Sequence, residues 1–394
     1  MDIKLFSKML KDKHFCNLEK MKYKYSGDFA EFLQTLSELY YKELPILDFN
    51  GNNLVFIENH AAVSQNAVKL LLKNQNNYYG VKTAEDEIVA TSAIENIDFS
   101  RDSVRNILKG YAPKNDQESR ILGIIKGLEF IADTSNKITE ENLHKLYMMT
   151  VGDFLEGDDR LNDGEFYRHD TVSIVGSQIE HMGVNYKKIP GLMKVLIEFI
   201  NTDDGINDLV KAAIVHFYFA YVHPYFDGNG RTARLMHLWF LIQKGYQSAL
   251  FIPFSGLIEK SRKSYYDAFS AVEDNQIFSG VIDVTPFVLY FIENVYNKMS
   301  HSTDTLSVYD EAVKSGELTA KEVALWQFVI SCYGTEEFST KQLEKDFGKA
   351  AYATIRSFVL KLEMLGLLTS VKYGTRTKYK IIELNNSRPI SRAA

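Results

Sequence analysis

Cysteine is nearly missing from this chain: Cys16 and Cys332 are the only two in 394 residues. They sit in KHFCNL and VISCYG, with no metal-ligand spacing around them. A disulfide framework and a structural zinc site are thereby excluded, and both thiols read as idle groups in a reducing compartment. Proline is scarce too, at seven residues, so long helices can run unbroken. No stretch approaches the roughly 18 uncharged apolar residues of a membrane helix. The N-terminus, MDIKLFSKMLKDKHFC, lacks the apolar centre of a signal peptide. A cytoplasmic protein without a membrane partner is expected. An excess of positive charge is also lacking, because the net charge of -6 argues against a protein that coats nucleic acid over its whole surface.

What is present suits a globular protein. Apolar residues make up 45% and charged residues 24%, with 23 Tyr and 25 Phe. The length allows two or three domains and a sizeable core. Apolar residues recur at helical spacing through most of the chain. Residues 1–80 read as helical pieces with turns, of unassigned role. A helix is expected over about 83–97, with the acids of TAEDE in its first turn, where the helix dipole favours them, and with Ile88, Val89, Ala93, Ile94 and Ile97 as its buried stripe. Further helices are expected at about 101–112, 117–134, 139–150 and 189–202. Between the last two, DTVSIVGSQIEHMGVN (170–185) alternates and breaks at Gly176 and Ser177, which predicts a hairpin. DLVKAAIVHFYFAYVH (208–223) and RTARLMHLWFLIQKG (231–245) predict two buried helices. The helical pattern runs on to about residue 300, and a polar linker follows at 301–316. Residues 317–386 predict three helices and a Gly-centred hairpin, the winged variant of helix-turn-helix, before a tail at 387–394.

The two buried helices meet at HPYFDGNGRTAR, residues 223–234. DG and NG are turn dipeptides. A turn that opens a helix offers free backbone N–H groups and the positive end of the dipole, and glycine lets an anion approach closely. Arg231 and Arg234 share the first turns of that helix. Two guanidiniums beside such a nest suit a di- or triphosphate. Asp227 at the lip can hold Mg2+ against the phosphates, since that ion takes one or two protein carboxylates with phosphate oxygens and water. His223 is the one residue of the stretch suited to general-base work near neutral pH, and Pro224 ends the helix that carries it. A plain connection between two helices explains Pro224, Gly228 and Gly230, but not the His, the Asp and two Arg around one turn.

The stretch resembles the signature of the Fic family, His-Pro-Phe-x-Asp/Glu-Gly-Asn-Gly-Arg-x-x-Arg, with Tyr225 in place of Phe. The resemblance covers roughly residues 80–300, including the order helix, hairpin, apolar helix, motif, helix. It implies a mainly α fold, a Fic-type helical core at 81–300 with a β-hairpin flap, followed by the small α+β winged helix. It also implies an enzyme that moves AMP from ATP to a hydroxyl (Ser, Thr or Tyr) of a target protein and of itself, with Mg2+. His223 would then be the base. Asp227 would hold the metal. Gly228, Asn229 and Gly230 would form the anion hole, with Arg231 on the β-phosphate and Arg234 on the γ-phosphate. The flap around Val175, Gly176, Ser177 and Gln178 would hold the target segment or nucleotide. Tyr265 and Tyr266 match a tyrosine pair that bounds the family's nucleoside pocket, while Glu273 stands where some relatives carry Asn.

TSAIEN, Thr91 to Asn96, resembles the family's inhibitory motif, Ser/Thr-x-x-x-Glu-Gly/Asn. It implies that Thr91, Glu95 and Asn96 serve as a brake, with Glu95 paired to Arg234 so that ATP binds only unproductively. Removal of AMP by the same site is a variant of this reading. Transfer of a whole phosphate fits less well, because family members that phosphorylate depart from the Gly-Asn-Gly turn kept here. Residues 339–381 carry nine basic and three acidic side chains, which leaves the rest of the chain near -12. That patch suits DNA phosphates, and equally a dimerising or protein-binding winged helix. The competing class is therefore a nucleotide-sensing, DNA-binding transcriptional regulator. An intact His223, Asp227 and Arg231 favour the enzyme, because a sensor has no need of a base. A homodimer is left open.

Overall fold

The computed structural model describes residues 1–64, 67, 68, 71, 81–175, 180–301, 318–333, 337–348 and 350–382. The expected linker beyond His301 and the tail from residue 383 lie outside these residues, as do Gly176, Ser177 and Gln178. The architecture is mainly helical. Three separate two-stranded antiparallel hairpins are its only sheets among the described residues.

The N-terminal part consists of α1 (Ile3–Leu10), α2 (Leu18–Lys24), α3 (Phe29–Leu39) and the hairpin β1 (Tyr41–Leu47) with β2 (Asn53–Ile57). Asp2 and Asn17 cap α1 and α2 through their side chains. Phe6, Met9, Phe32 and Leu36 form a small core of their own. It is tied to the rest by backbone bonds from Val55 to Ile282 and from Val284 to Val55, and by Asn275, which accepts from the Leu18 N–H.

The main body runs through α4 (Val81–Ile94), α5 (Arg101–Leu108), α6 (Asp116–Ala132), α7 (Glu140–Thr150), the hairpin β3 (Ser173–Val175) and β4 (Glu180–Met182), and α8 (Ile189–Asn201). It continues with α9 (Asp208–Val222), α10 (Asn229–Gln243), α11 (Phe254–Lys260), α12 (Arg262–Ser279) and α13 (Thr285–Tyr290). α9 and α10 pack against each other at its centre and are buried all round: α9 is almost wholly apolar, whereas α10 also buries Asn229, Arg231, Thr232, Arg234 and His237. The hairpin expected over 170–185 is present, with Ser173 opposite Met182 and Val175 opposite Glu180.

Two expectations about α4 need correction. It starts at Val81, so the acids fall in its second turn rather than in the first turn that the dipole favours. They are pins to neighbouring elements instead. Glu85 bridges Arg101 and Arg105 at 2.7 Å each, and buried Glu87 accepts from the Ser255 backbone N–H at 2.9 Å and from its hydroxyl. The helix also stops at Ile94, short of the expected residue 97. The Ile97 N–H bonds back to the Ser92 carbonyl and the Asn96 N–H to the Ala93 carbonyl, with Asn96 left-handed at φ 59°. This is a Schellman turn, and Asn tolerates the left-handed position that β-branched residues resist.

The C-terminal segment folds as α14 (Ala320–Tyr333), α15 (Thr340–Phe347), α16 (Tyr352–Met364) and the hairpin β5 (Leu368–Tyr373) with β6 (Arg376–Ile381). Trp326, Phe338, Leu343, Phe358, Leu362 and Leu368 fill a core distinct from that of the main body. α14 lies against α4, and Lys109 pairs with Asp346 at 3.0 Å.

Candidate active site

The site is built where α9 stops. His223 is the residue after the helix and is left-handed, at φ 54°. Pro224 prevents the helix from continuing. The next turn is closed by Asn229, whose side chain accepts from the Tyr225 N–H at 2.9 Å and donates to the Tyr225 carbonyl at 2.8 Å. Gly228 is left-handed at φ 80°, and a Cβ there would collide with Val151. α10 then begins, and the N–H groups of its first turn have no partner within the helix.

His223 Nδ1 lies 3.2 Å from the Ala220 carbonyl. A carbonyl only accepts, so that nitrogen carries the proton and Nε2 keeps its lone pair. Burial pushes the imidazole down to about 4, against smaller upward effects of the Ala220 carbonyl, Glu95 and Asp227. The ring is therefore neutral near pH 7, with Nε2 able to take a proton.

The acidic and basic residues of the turn neutralise one another. Asp227 Oδ1 accepts from the Gly228 N–H at 2.6 Å, and Oδ2 pairs with Arg231 at 2.9 Å. The Asp227 side chain is 56% exposed. Among the described residues no cluster of three or more metal-binding side chains occurs. A lone exposed carboxylate beside free helix N–H groups still fits Mg2+ that arrives with phosphate, because that ion draws most of its ligands from phosphate and water.

Arg234 is the most enclosed charge of the site, with a side chain 2% exposed. Its Nη2 meets Glu95 Oε1 at 2.7 Å and the Thr91 carbonyl at 3.0 Å, and its Nε donates to the Thr91 hydroxyl at 2.8 Å. Burial works against the charge on Arg234, and Glu95 beside it more than restores it. The Glu95 carboxylate also rests on the backbone at Gly230, where any Cβ would strike Oε1. An anionic oxygen thus already lies at the mouth of the helix N-terminus. Among the described residues, Arg234 Nη1 and Arg231 Nε are buried and have no hydrogen-bond partner.

The two tyrosines of α12 part company. Tyr265 is buried, with its hydroxyl 2.8 Å from His216 Nε2. Tyr266 is half-buried, and its hydroxyl lies 3.4 Å from the Ile94 carbonyl. Val175 is placed in β3, while its neighbours Gly176, Ser177 and Gln178 lie outside the described residues.

Arg168 escaped the sequence reading. It is buried, and it donates to the carbonyls of His223 at 2.9 Å, Asp170 at 2.6 Å and Val184 at 2.6 Å. Its own N–H bonds the Pro224 carbonyl at 2.9 Å. One guanidinium therefore clasps both feet of the β3–β4 hairpin to the backbone that holds the imidazole. Nothing in the local pattern FYRHD marks it, since its partners other than the Asp170 carbonyl lie elsewhere in the chain.

Comparison with known proteins agrees with this geometry. Residues 137–241 match the Fic/DOC family. The chain is 26% identical over 233 residues to the protein adenylyltransferase Fic of Culex quinquefasciatus, covering 54% of this chain and 41% of that protein. It is 25% identical over 188 residues to that of Aedes aegypti, covering 45% of this chain and 32% of the relative. The chain thus spans well under half the length of these relatives. A Fic family protein from Desulfovibrio desulfuricans G20 aligns in structure over 82% of this chain and 97% of its own, with a TM-score of 0.48 and 20% identity. The segment carrying Thr91, Glu95 and Asn96 lies outside the matched residues 137–241. No described helix is long and apolar enough to cross a membrane.

The burial of His223 has a measurable sign. In an NMR titration its ring should titrate near 4, well below the ordinary 6.5. Between those values the unfolded chain binds the extra proton, so stability should fall as pH drops from about 6.5 toward 4. A midpoint at the ordinary value would mean a solvated ring and would contradict the description.

Proposed function

We propose that this chain is a protein adenylyltransferase held in a self-inhibited state. A target hydroxyl oxygen attacks the α-phosphorus of ATP, the bond to the β-phosphate bridging oxygen breaks, and pyrophosphate leaves. His223 Nε2 takes the hydroxyl proton. The N–H groups of Asn229 and Gly230, joined by that of Gly228 once Asp227 Oδ1 releases it, receive the phosphate oxygens, Arg231 binds the β-phosphate and Arg234 the γ-phosphate. Asp227 would hold Mg2+, which when bound offsets phosphate charge. The β3–β4 hairpin is positioned to take an extended target segment by strand addition, and Tyr266, with Tyr265 beneath it, bounds the nucleoside side.

One observation carries this reading. The Glu95 carboxylate sits where a phosphate oxygen would sit, on Gly230 and on Arg234. A site made to stay empty of anions has no use for a nest and two arginines, and a site made for phosphate is blocked by this carboxylate. Wild-type protein is therefore weakly active. Removal of AMP from a modified target would use the same groups: water oriented by Glu95 attacks the α-phosphorus, the bond to the target oxygen breaks, His223 returns a proton to that oxygen, and AMP leaves.

A second reading, DNA binding by the C-terminal segment, rests on the exposure of Lys341, Lys345, Arg356, Lys372, Arg376 and Lys380 on α15, α16 and the β5–β6 hairpin. The arrangement of α14, α15, α16 and that hairpin is what a winged helix requires. Tyr352, Leu360 and Met364 are exposed on α16 as well, and their chemistry suits protein contact rather than phosphate.

The enzyme reading is tested by label transfer from α-labelled ATP with Mg2+, with self-modification as readout. Glu95→Gly should become labelled, wild type only slightly, and Glu95→Gly/His223→Ala not at all. Absence of label from all three, with and without cell lysate as a source of targets, would remove the enzyme. For DNA, fluorescence anisotropy should show duplex binding that weakens steeply with salt and is lost in Arg356→Ala/Arg376→Ala. No binding at low salt would leave that surface to protein partners.

A further inference from the structure

The pair between Glu95 and Arg234 does not hold itself in place. Glu95 is the last residue before the left-handed Asn96, on a turn whose backbone bonds run from Asn96 to Ala93 and from Ile97 to Ser92. The direction of the Glu95 side chain depends on that turn keeping its shape. Glu95 is 31% exposed, so water competes for its carboxylate.

The first turn of α12 grips this turn from outside. Arg262 Nη1 donates to the Ala93 carbonyl at 3.2 Å, and Nη2 donates to the Asn96 side-chain oxygen at 2.9 Å. The acceptors lie in and just beyond the last turn of α4, where the negative end of the dipole attracts a cation. Tyr266, one turn further along α12, reaches the Ile94 carbonyl, and the Arg262 guanidinium lies 5.8 Å from its ring centroid. The planar fork of Arg262 thus spans the residues on either side of Glu95.

We propose that Arg262 is the positioning residue of the brake. By clasping Ala93 and Asn96 it fixes the left-handed turn that aims Glu95 at Arg234. This rests on the adenylyltransferase reading given above. Arg262 touches neither Arg234 nor Glu95 through any hydrogen bond or ion pair found among the described residues, so it acts through the turn alone. Because Tyr266 bears on the same turn, a nucleoside that packs against Tyr266 lands beside the clasp.

The test is a double-mutant cycle with two readouts. The first is the rate of label transfer from α-labelled ATP with Mg2+ for wild type, Arg262→Ala, Glu95→Gly and the double variant. The second is hydrogen exchange of backbone amides over residues 91–97 in nucleotide-free wild type and Arg262→Ala. Arg262→Ala should raise the rate by roughly tenfold or more, since two hydrogen bonds from a charged group are lost and each is worth at least about tenfold. It should also speed exchange in that segment, and it should be silent when Glu95 is already glycine. A fall in rate in both backgrounds would assign Arg262 a structural or nucleotide-binding role and overturn the proposal. So would unchanged exchange. If Glu95→Gly itself takes no label while Arg262→Ala still speeds exchange, the clasp stands and the adenylyltransferase reading fails.

Discussion

A guanidinium almost sealed from water needs an anion, and the site is organised around that need. Arg234 lies in the first turns of a helix buried all round, with its Nε and one Nη held by Thr91 and Glu95. In such surroundings an unpaired charge costs several kcal/mol, so the choice is not whether an anion sits there but which one. In the resting chain it is Glu95. A triphosphate would have to offer a better anion at the same place, and the glycine at position 230 leaves room for either at the backbone. On the proposed reading, one position taking either of two anions underlies both catalysis and its restraint.

The surrounding fold exists to keep that position fixed. α9 and α10 supply a buried pair of rods, and the turn between them is closed by Asn229 across the loop and by Gly228 in its left-handed conformation. A left-handed histidine costs conformational energy and persists only where its neighbours insist on it. Arg168 does so from one side, through the His223 carbonyl, while the Ala220 carbonyl orients the ring from the other. Since Arg168 also holds both feet of the β3–β4 hairpin, the strand that would meet a target and the imidazole that would deprotonate it are attached to one side chain.

The parts of this design that were legible in the sequence are those whose chemistry is contiguous. The turn from His223 to Arg234 displays its nest, its base and its cations within twelve positions, and apolar runs on both sides announced the buried helices. TSAIEN was readable only beside that turn. Residues whose meaning depends on distant partners were not readable. Glu87 looked like a dipole-matched acid at a helix start, and it is a buried carboxylate bound to Ser255. Arg262 and Arg168 drew no reading at all, and they meet carbonyls 169 and 55 positions away. Tyr265 and Tyr266 were read as one pair because they are adjacent, yet adjacent helical residues point about 100° apart, and only Tyr266 reaches the turn that carries Glu95. Period and turn chemistry give local structure, whereas a polar side chain with a long-range partner is indistinguishable in sequence from one that faces water.

The central claim is that Glu95 competes with the terminal phosphate of ATP for Arg234. Calorimetric titration of ATP and of ADP, each with Mg2+, into wild type and Glu95→Gly tests it most directly, because ADP lacks the contested group. The account predicts that removing Glu95 tightens ATP by about tenfold or more while ADP changes little, the scale of one charge-assisted contact in a buried site. Equal changes for the two nucleotides, or none for either, would mean that Glu95 and the γ-phosphate do not share a position, and the claim would be wrong.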